Sequence, residues 1–124
     1  MNPSPDTPAP ETLLPLKALE FSILLVLTRD ESYGYGIVRA ISDRDVGGLE
    51  LAPGNLYHVL DRMIGQGLIR EAERRERPDD ADSRRRYYAI TPFGRRVARA
   101  EAERLRAVLG TAESLELLAG EGGG

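Results

Sequence analysis

The chain has 124 residues, 41% of them hydrophobic and 30% charged, which predicts one soluble globular domain and excludes wholesale disorder. With no cysteine and a single histidine, His58, it excludes a disulfide framework, a thiolate nucleophile and a Cys/His zinc site, and no uncharged apolar run is long enough to span a bilayer. The formal net charge of −3 speaks against nucleic acid only in bulk: 13 of the 17 bases fall between Arg62 and Arg106, while residues 1–15 and 111–124 hold acids and no base.

Taken in chain order, residues 1–15 carry five of the eight prolines, which predicts a disordered lead. That lead has neither the basic flank nor the apolar run of a secretory signal, so the cytoplasm is the expected location. Leu16 to Thr28 is apolar on two faces and predicts a helix buried on most sides, with Pro15 suited to its first turn. After the polar turn Arg29-Asp30-Glu31, Ser32 is placed to cap a second helix whose inward face is Ile37, Ala40 and Ile41. A third helix opens at Pro53. Its residues Leu56, Val59, Leu60, Met63 and Ile64 fit the i, i+3, i+4, i+7, i+8 template, and Gly67 supplies the stop.

The period then changes. Residues 68–75 and 84–90 read as two strands of a β-hairpin around a loop rich in Pro and Asp, with Asp79, Asp80 and Asp82 at its tip. Thr91-Pro92 is an N-cap and first-turn pair that launches a helix from Phe93 toward Leu109, where Gly110 is placed to bend or end it. Beyond it an apolar stripe continues to Leu118, and residues 119–124 form a glycine-rich tail expected to fray. The expected class is therefore mainly α with a small β-hairpin. Residues 16–92 follow the order of a winged helix-turn-helix, with a C-terminal helix over 93–118.

Four motifs give this order a family. Tyr33-Gly34-Tyr35-Gly36-Ile37 opens the second helix, and Ala52-Pro53-Gly54-Asn55-Leu56-Tyr57-His58-Val59-Leu60 opens the third. Gly65-Gln66-Gly67-Leu68-Ile69 leaves it, and Arg85-Arg86-Tyr87-Tyr88-Ala89-Ile90-Thr91-Pro92-Phe93-Gly94 returns from the wing. In this order and spacing they resemble the PadR-like transcriptional regulators over about residues 16–100. The resemblance implies a sequence-specific regulator of double-stranded DNA, a repressor working as a homodimer. It also implies release from DNA by a small-molecule effector or another signal, and phosphate-region roles for Tyr35 and Tyr57. Gly36 and Ala52 depart from the family's Glu and Ser, each at a cost of about 1 kcal/mol.

The residues themselves suggest how DNA would be held. Asn55, His58 and Arg62 lie one turn apart on the face of the third helix opposite its apolar stripe, where Asn pairs with adenine and Arg with guanine. Asp61 fits a merely solvated face better. Arg84, Arg85 and Arg86 beside Tyr88 suggest phosphate contacts, although Glu71, Glu73 and Glu76 on the opposite strand could neutralise them. Leu105, Val108, Leu109, Ala112 and Leu115 form one stripe expected to pair two copies of the chain, and only the first helix and residues 95–118 could line an effector cavity at the dimer interface. The competing use of that stripe is a fold-back onto Leu16–Leu27. A rival reading makes the domain a winged-helix module for a basic protein partner, without DNA. With no P-loop, dinucleotide fingerprint or paired acids around a Gly-rich loop, neither an enzyme nor a cofactor is expected.

Overall fold

The computed structural model describes residues 8–44, 53–72 and 86–118. A 3-10 turn, Pro10–Leu13, leads into α1 (Ala18–Arg29), β1 (Ser32–Tyr33), α2 (Gly34–Arg44), α3 (Pro53–Gly65), β2 (Ile69–Ala72), β3 (Tyr87–Ile90) and α4 (Pro92–Ser114). Apolar spacing dictates the packing. Ile23, Leu24 and Leu27 of α1, Ile37 and Ile41 of α2, and Leu56, Leu60 and Met63 of α3 share one buried cluster with Leu68, Tyr88 and Val97. Burying each such aliphatic side chain stabilises the fold by about 1.5–3 kcal/mol.

The sheet has three antiparallel strands in the order β1-β3-β2, so the wing is more than the expected two-stranded hairpin. Ser32 pairs with Tyr88 and Tyr33 with Tyr87. Ser32 is therefore a strand residue, not the cap of α2, which begins at Gly34. The ring of Tyr33 meets that of Tyr87 edge-on at 5.5 Å, a cross-strand aromatic contact that favours the extended backbone. With a neighbour on each side, β3 is the central strand and all four of its residues are buried. Tyr88 and Ile90 join the main core, while Tyr87 and Ala89 pack with Ala72 in a smaller cluster on the other face. Residues 73–85, with the expected strand extensions and the acidic wing tip, lie outside the described residues.

The end of α3 is tied to the start of α4. Gly67 adopts φ +76°, its N–H donates to Ile64 O at 2.9 Å, and Leu68 N donates to Met63 O at 3.0 Å, which is the paired hydrogen-bond pattern of a Schellman cap. Thr91 N donates to Leu68 O at 3.1 Å. The Thr91 hydroxyl donates to Gly67 O at 2.5 Å and accepts from Gly94 N at 2.9 Å, which caps α4. Gly94 has to be glycine here. A Cβ would overlap the Leu68 carbonyl oxygen and stand 2.9 Å from Ile90 Cγ1.

Two expectations change at the ends. Residues 10–15 are part of the fold: Leu13 and Leu14 pack against the core, and Leu16 N donates to Glu101 Oε2 at 3.1 Å. Glu101 is buried and also accepts from Arg104 Nε at 2.6 Å and Nη2 at 3.1 Å. The apolar Leu13-Leu14 pair, together with a carboxylate that needs donors, outweighs the proline content of the lead. At the other end α4 does not stop at Gly110, which is exposed with open space where a Cβ would stand, and runs on to Ser114. A single exposed glycine costs a helix only about 1 kcal/mol.

Two outcomes follow. Gly94→Ala should lower unfolding stability in urea by about 3 kcal/mol, because backbone cannot yield at that joint, whereas Gly110→Ala should raise it by up to about 1 kcal/mol. The hydrogen bonds from Arg104, helped by the Leu16 amide and opposed by burial, hold the Glu101 carboxyl below the usual carboxylate range. A depressed folded value makes this stabilisation complete above the ordinary carboxylate range, about pH 4–5, and lost as pH falls through the folded value. The Tm difference between the parent chain and Glu101→Gln should therefore be largest near pH 7 and close as the pH is lowered below about 4.

Candidate nucleic-acid interface

The buried stripe of α3 fixes what its other face can do. With Leu56, Val59, Leu60 and Met63 turned into the core, Asn55, Tyr57, His58, Asp61 and Gln66 stand in solvent. Asn55 and His58 lie one turn apart near the N-terminal end of α3, both exposed.

Arg62 is placed differently. Its Nη2 donates to Glu20 Oε2 at 3.1 Å, and Glu20, nearly buried on α1, also accepts from Lys17 N at 3.2 Å. The guanidinium brackets α3 to α1, and with its side chain about half exposed it is held there in addition to any contact it makes with bases. A buried carboxylate needs a cation, and the sequence alone could not show that Glu20 would be within reach.

Tyr88 does require a correction. It was expected at phosphate, but it is wholly buried, and among the described residues its hydroxyl has no hydrogen-bonding partner. Burial pushes the phenol's pKa up, against the pull of the Arg86 cation, so the group stays neutral inside the fold. Side chains of β3 still alternate in direction, but both faces are covered, one by the main core and the other by Tyr33 and Ala72. The other two tyrosines are exposed. Tyr35, at the start of α2, is 62% exposed with the Arg39 guanidinium 5.9 Å from its ring centroid. The Tyr57 hydroxyl, from α3, lies against Gly34, where a Cβ would stand 2.7 Å from it. Glycine at 34 thus lets the entries of α2 and α3 approach. Arg39 was missed as a candidate, although its spacing of i+4 from Tyr35 on a helix was visible.

On the wing, Arg86 Nε donates to Glu71 Oε1 at 2.6 Å and Nη2 to Asp61 Oδ1 at 3.4 Å, while its guanidinium lies 5.4 Å from the Tyr88 ring centroid. The Glu71 hydrogen bond, with smaller help from Tyr88 and Asp61, raises the Arg86 pKa further, so it is always charged. Arg84 and Arg85 lie outside the described residues. Of the α4 stripe, Leu105 and Ala112 are half-buried, and Val108, Leu109 and Leu115 are exposed. The fold-back onto α1 holds only for the first turns of α4, through Val97, Ala98 and Glu101; past Glu101 no described residue is buried. A groove of about 470 Å³ between α1 and α4 is lined by Phe21, Ala102, Leu105, Arg106, Leu109, Gly110 and Glu113. Another, of about 510 Å³, has Leu25, Ala98 and Ala102 as apolar lining and Arg95, Arg96 and Arg99 around it.

This arrangement of helices and sheet has counterparts. The model of the transcriptional regulator PadR-like family matches residues 23–100. The chain belongs to the PadR-like family. This PadR-like chain has the winged-helix fold of a PadR family transcription regulator from Clostridium difficile R20291, with TM-score 0.69 and 23% identity over 80% of this chain and 98% of that one. It is also similar to a PadR-like transcriptional regulator from Bacillus cereus strain ATCC 14579, with TM-score 0.64 and 26% identity over 78% of this chain and 89% of that one. Escherichia coli K12 transcriptional regulator YqjI is 39% identical over 51 residues, which span 41% of this chain and only 25% of that protein. The chain thus belongs to a family of transcriptional regulators, and among its described residues no helix is long and apolar enough to cross a membrane.

The two faces of α3 should respond differently to substitution. Asn55→Ala should flatten the preference between selected and random duplexes by about 1–3 kcal/mol, read by fluorescence anisotropy. Arg62→Ala should weaken all duplexes alike and lower unfolding stability by about 1–2 kcal/mol, because Glu20 loses its cation.

Proposed function

We propose that this PadR-like regulator is a repressor that binds a palindromic operator as a homodimer in the cytoplasm, with Asn55 and His58 of each α3 facing the major groove. The observation that carries the reading is the division of α4. Its first half is packed on α1, whereas in its second half Val108, Leu109 and Leu115 are exposed and Leu105 and Ala112 only half-buried. Monomers rarely leave an apolar strip of this length open, and a second copy covers it symmetrically. A two-fold axis through α1 and α4 would set the two recognition helices about one duplex turn, ~34 Å, apart.

Tyr35, Tyr57 and the arginines of the wing would then hold phosphates, which fix register without reading sequence. The grooves between α1 and α4 support the further reading that a small-molecule effector sits at the dimer interface and changes the spacing of the two wings. An apolar floor rimmed by Arg95, Arg96 and Arg99 suits a ligand with an apolar body and an anionic end.

The rival reading, a protein-interaction module without DNA, draws on the carboxylates that neutralise Arg86. Salt decides between them. Binding to random duplex should weaken linearly in log affinity against log salt as counterions are released, and no binding at low salt would favour the rival. Joint Leu105→Asp and Leu109→Asp substitution should give a folded monomer in sedimentation, with operator affinity lower by about a hundredfold once the second half-site is no longer tethered. A variant that stays dimeric would remove α4 from the interface.

A further inference from the structure

Among the described residues, the wing cation nearest α3 is not free. Arg86 precedes β3 and reaches across to Glu71 on β2 and Asp61 on α3, so one guanidinium joins wing and recognition helix. All three side chains remain wet: Arg86 is 44% exposed, Asp61 60% and Glu71 54%. The Tyr88 ring, fixed in the core beneath it, leaves the guanidinium a flat seat and holds it close to both carboxylates.

We propose that Asp61 and Glu71 are specificity-determining residues that act through Arg86: they hold its charge away from arbitrary phosphates and so suppress sequence-independent binding. This rests on the DNA-binding reading of the wing. Three features support it. The two carboxylates come from different elements, so the contact is not an incidental pairing within one hairpin. Exposed ion pairs bias a population by no more than about fivefold, which is strong enough to occupy Arg86 in the free protein and weak enough to yield to a well-placed phosphate. A phosphate accepts bidentate hydrogen bonds from a guanidinium as a carboxylate does, so exchange keeps the same donor geometry.

The latch also gives Asp61 a use. On the exposed face of a DNA-reading helix an unpaired carboxylate repels the duplex, whereas one tied to Arg86 is screened until the wing docks. Non-specific binding is nearly all phosphate electrostatics, so one withheld arginine lowers it directly and raises the ratio of operator to random affinity.

A double-mutant cycle tests this with the full chain, using anisotropy on a labelled random-sequence duplex over a salt series. Glu71→Gln should tighten random-duplex binding about three- to fivefold at low salt and steepen the log affinity against log salt slope by about 1. Asp61→Asn should act in the same direction, and Glu11→Gln, which removes the same charge from the far N-terminal turn, should leave the slope unchanged. In the Arg86→Ala background the gain from Glu71→Gln should disappear. An equal gain in both backgrounds, or an equal gain from Glu11→Gln, would overturn the latch while leaving DNA binding intact. If the parent chain binds no duplex even at low salt, the DNA-binding reading falls and the latch with it.

Discussion

The Thr91 hydroxyl gives a hydrogen bond to the Gly67 carbonyl and takes one from Gly94 N, and through it the end of α3 is tied to the start of α4. Much else depends on this joint. Gly67 must be left-handed for the chain to leave α3 toward β2, and Gly94 must lack a Cβ for α4 to approach the Leu68 carbonyl. The direction of α3, which sets where Asn55 and His58 point, is therefore linked to the direction of α4 without a flexible connector. Glu20 and Arg62 brace the same helix from the side of α1. A recognition helix held at its end and its flank has its direction set by both α1 and α4.

The charge distribution follows from the same economy of groups. A net charge of −3 looks unsuited to a DNA-binding protein, but several of its acids have internal cations. Glu20 holds Arg62, Glu101 holds Arg104 and the backbone of Leu16, and Glu71 with Asp61 holds Arg86. Where the carboxylate is buried, as in Glu20 and Glu101, the partner offsets a desolvation cost and the pair fixes geometry. Where both partners are wet, as around Arg86, the pair is weak and exchangeable. The same residue types thus brace the fold in one place and modulate its contacts in another, and burial decides which.

Much of this was legible in the sequence. The apolar spacing of α3, the Gly67 stop, the Thr91-Pro92 start of α4 and the change of period between them are local signals, and the structure realises each of them. The family could be read from four short motifs because their glycines and tyrosines meet local steric demands, as Gly34 does beneath Tyr57. What was not legible depends on pairs far apart in the chain. The two-residue strand β1 has no periodicity of its own and pairs through Tyr33 and Tyr87, while Tyr88 is buried by the helices of the main core. The pairing of Arg62 with Glu20, 42 residues earlier, likewise has no local signal. The lead looked disordered because proline content hides the apolar pair Leu13-Leu14 and the distant acceptor Glu101.

If α3 is carried rigidly on a dimer formed by α1 and α4, the spacing of its contacts on DNA is a fixed property of the protein. Selecting bound sequences from a random duplex pool and footprinting them with hydroxyl radicals measures that spacing directly. The account predicts two protected stretches related by a pseudo-two-fold axis, with centres about one helical turn, ~10 base pairs, apart in every selected sequence. A single protected stretch, or spacings that vary from one selected sequence to another, would contradict it.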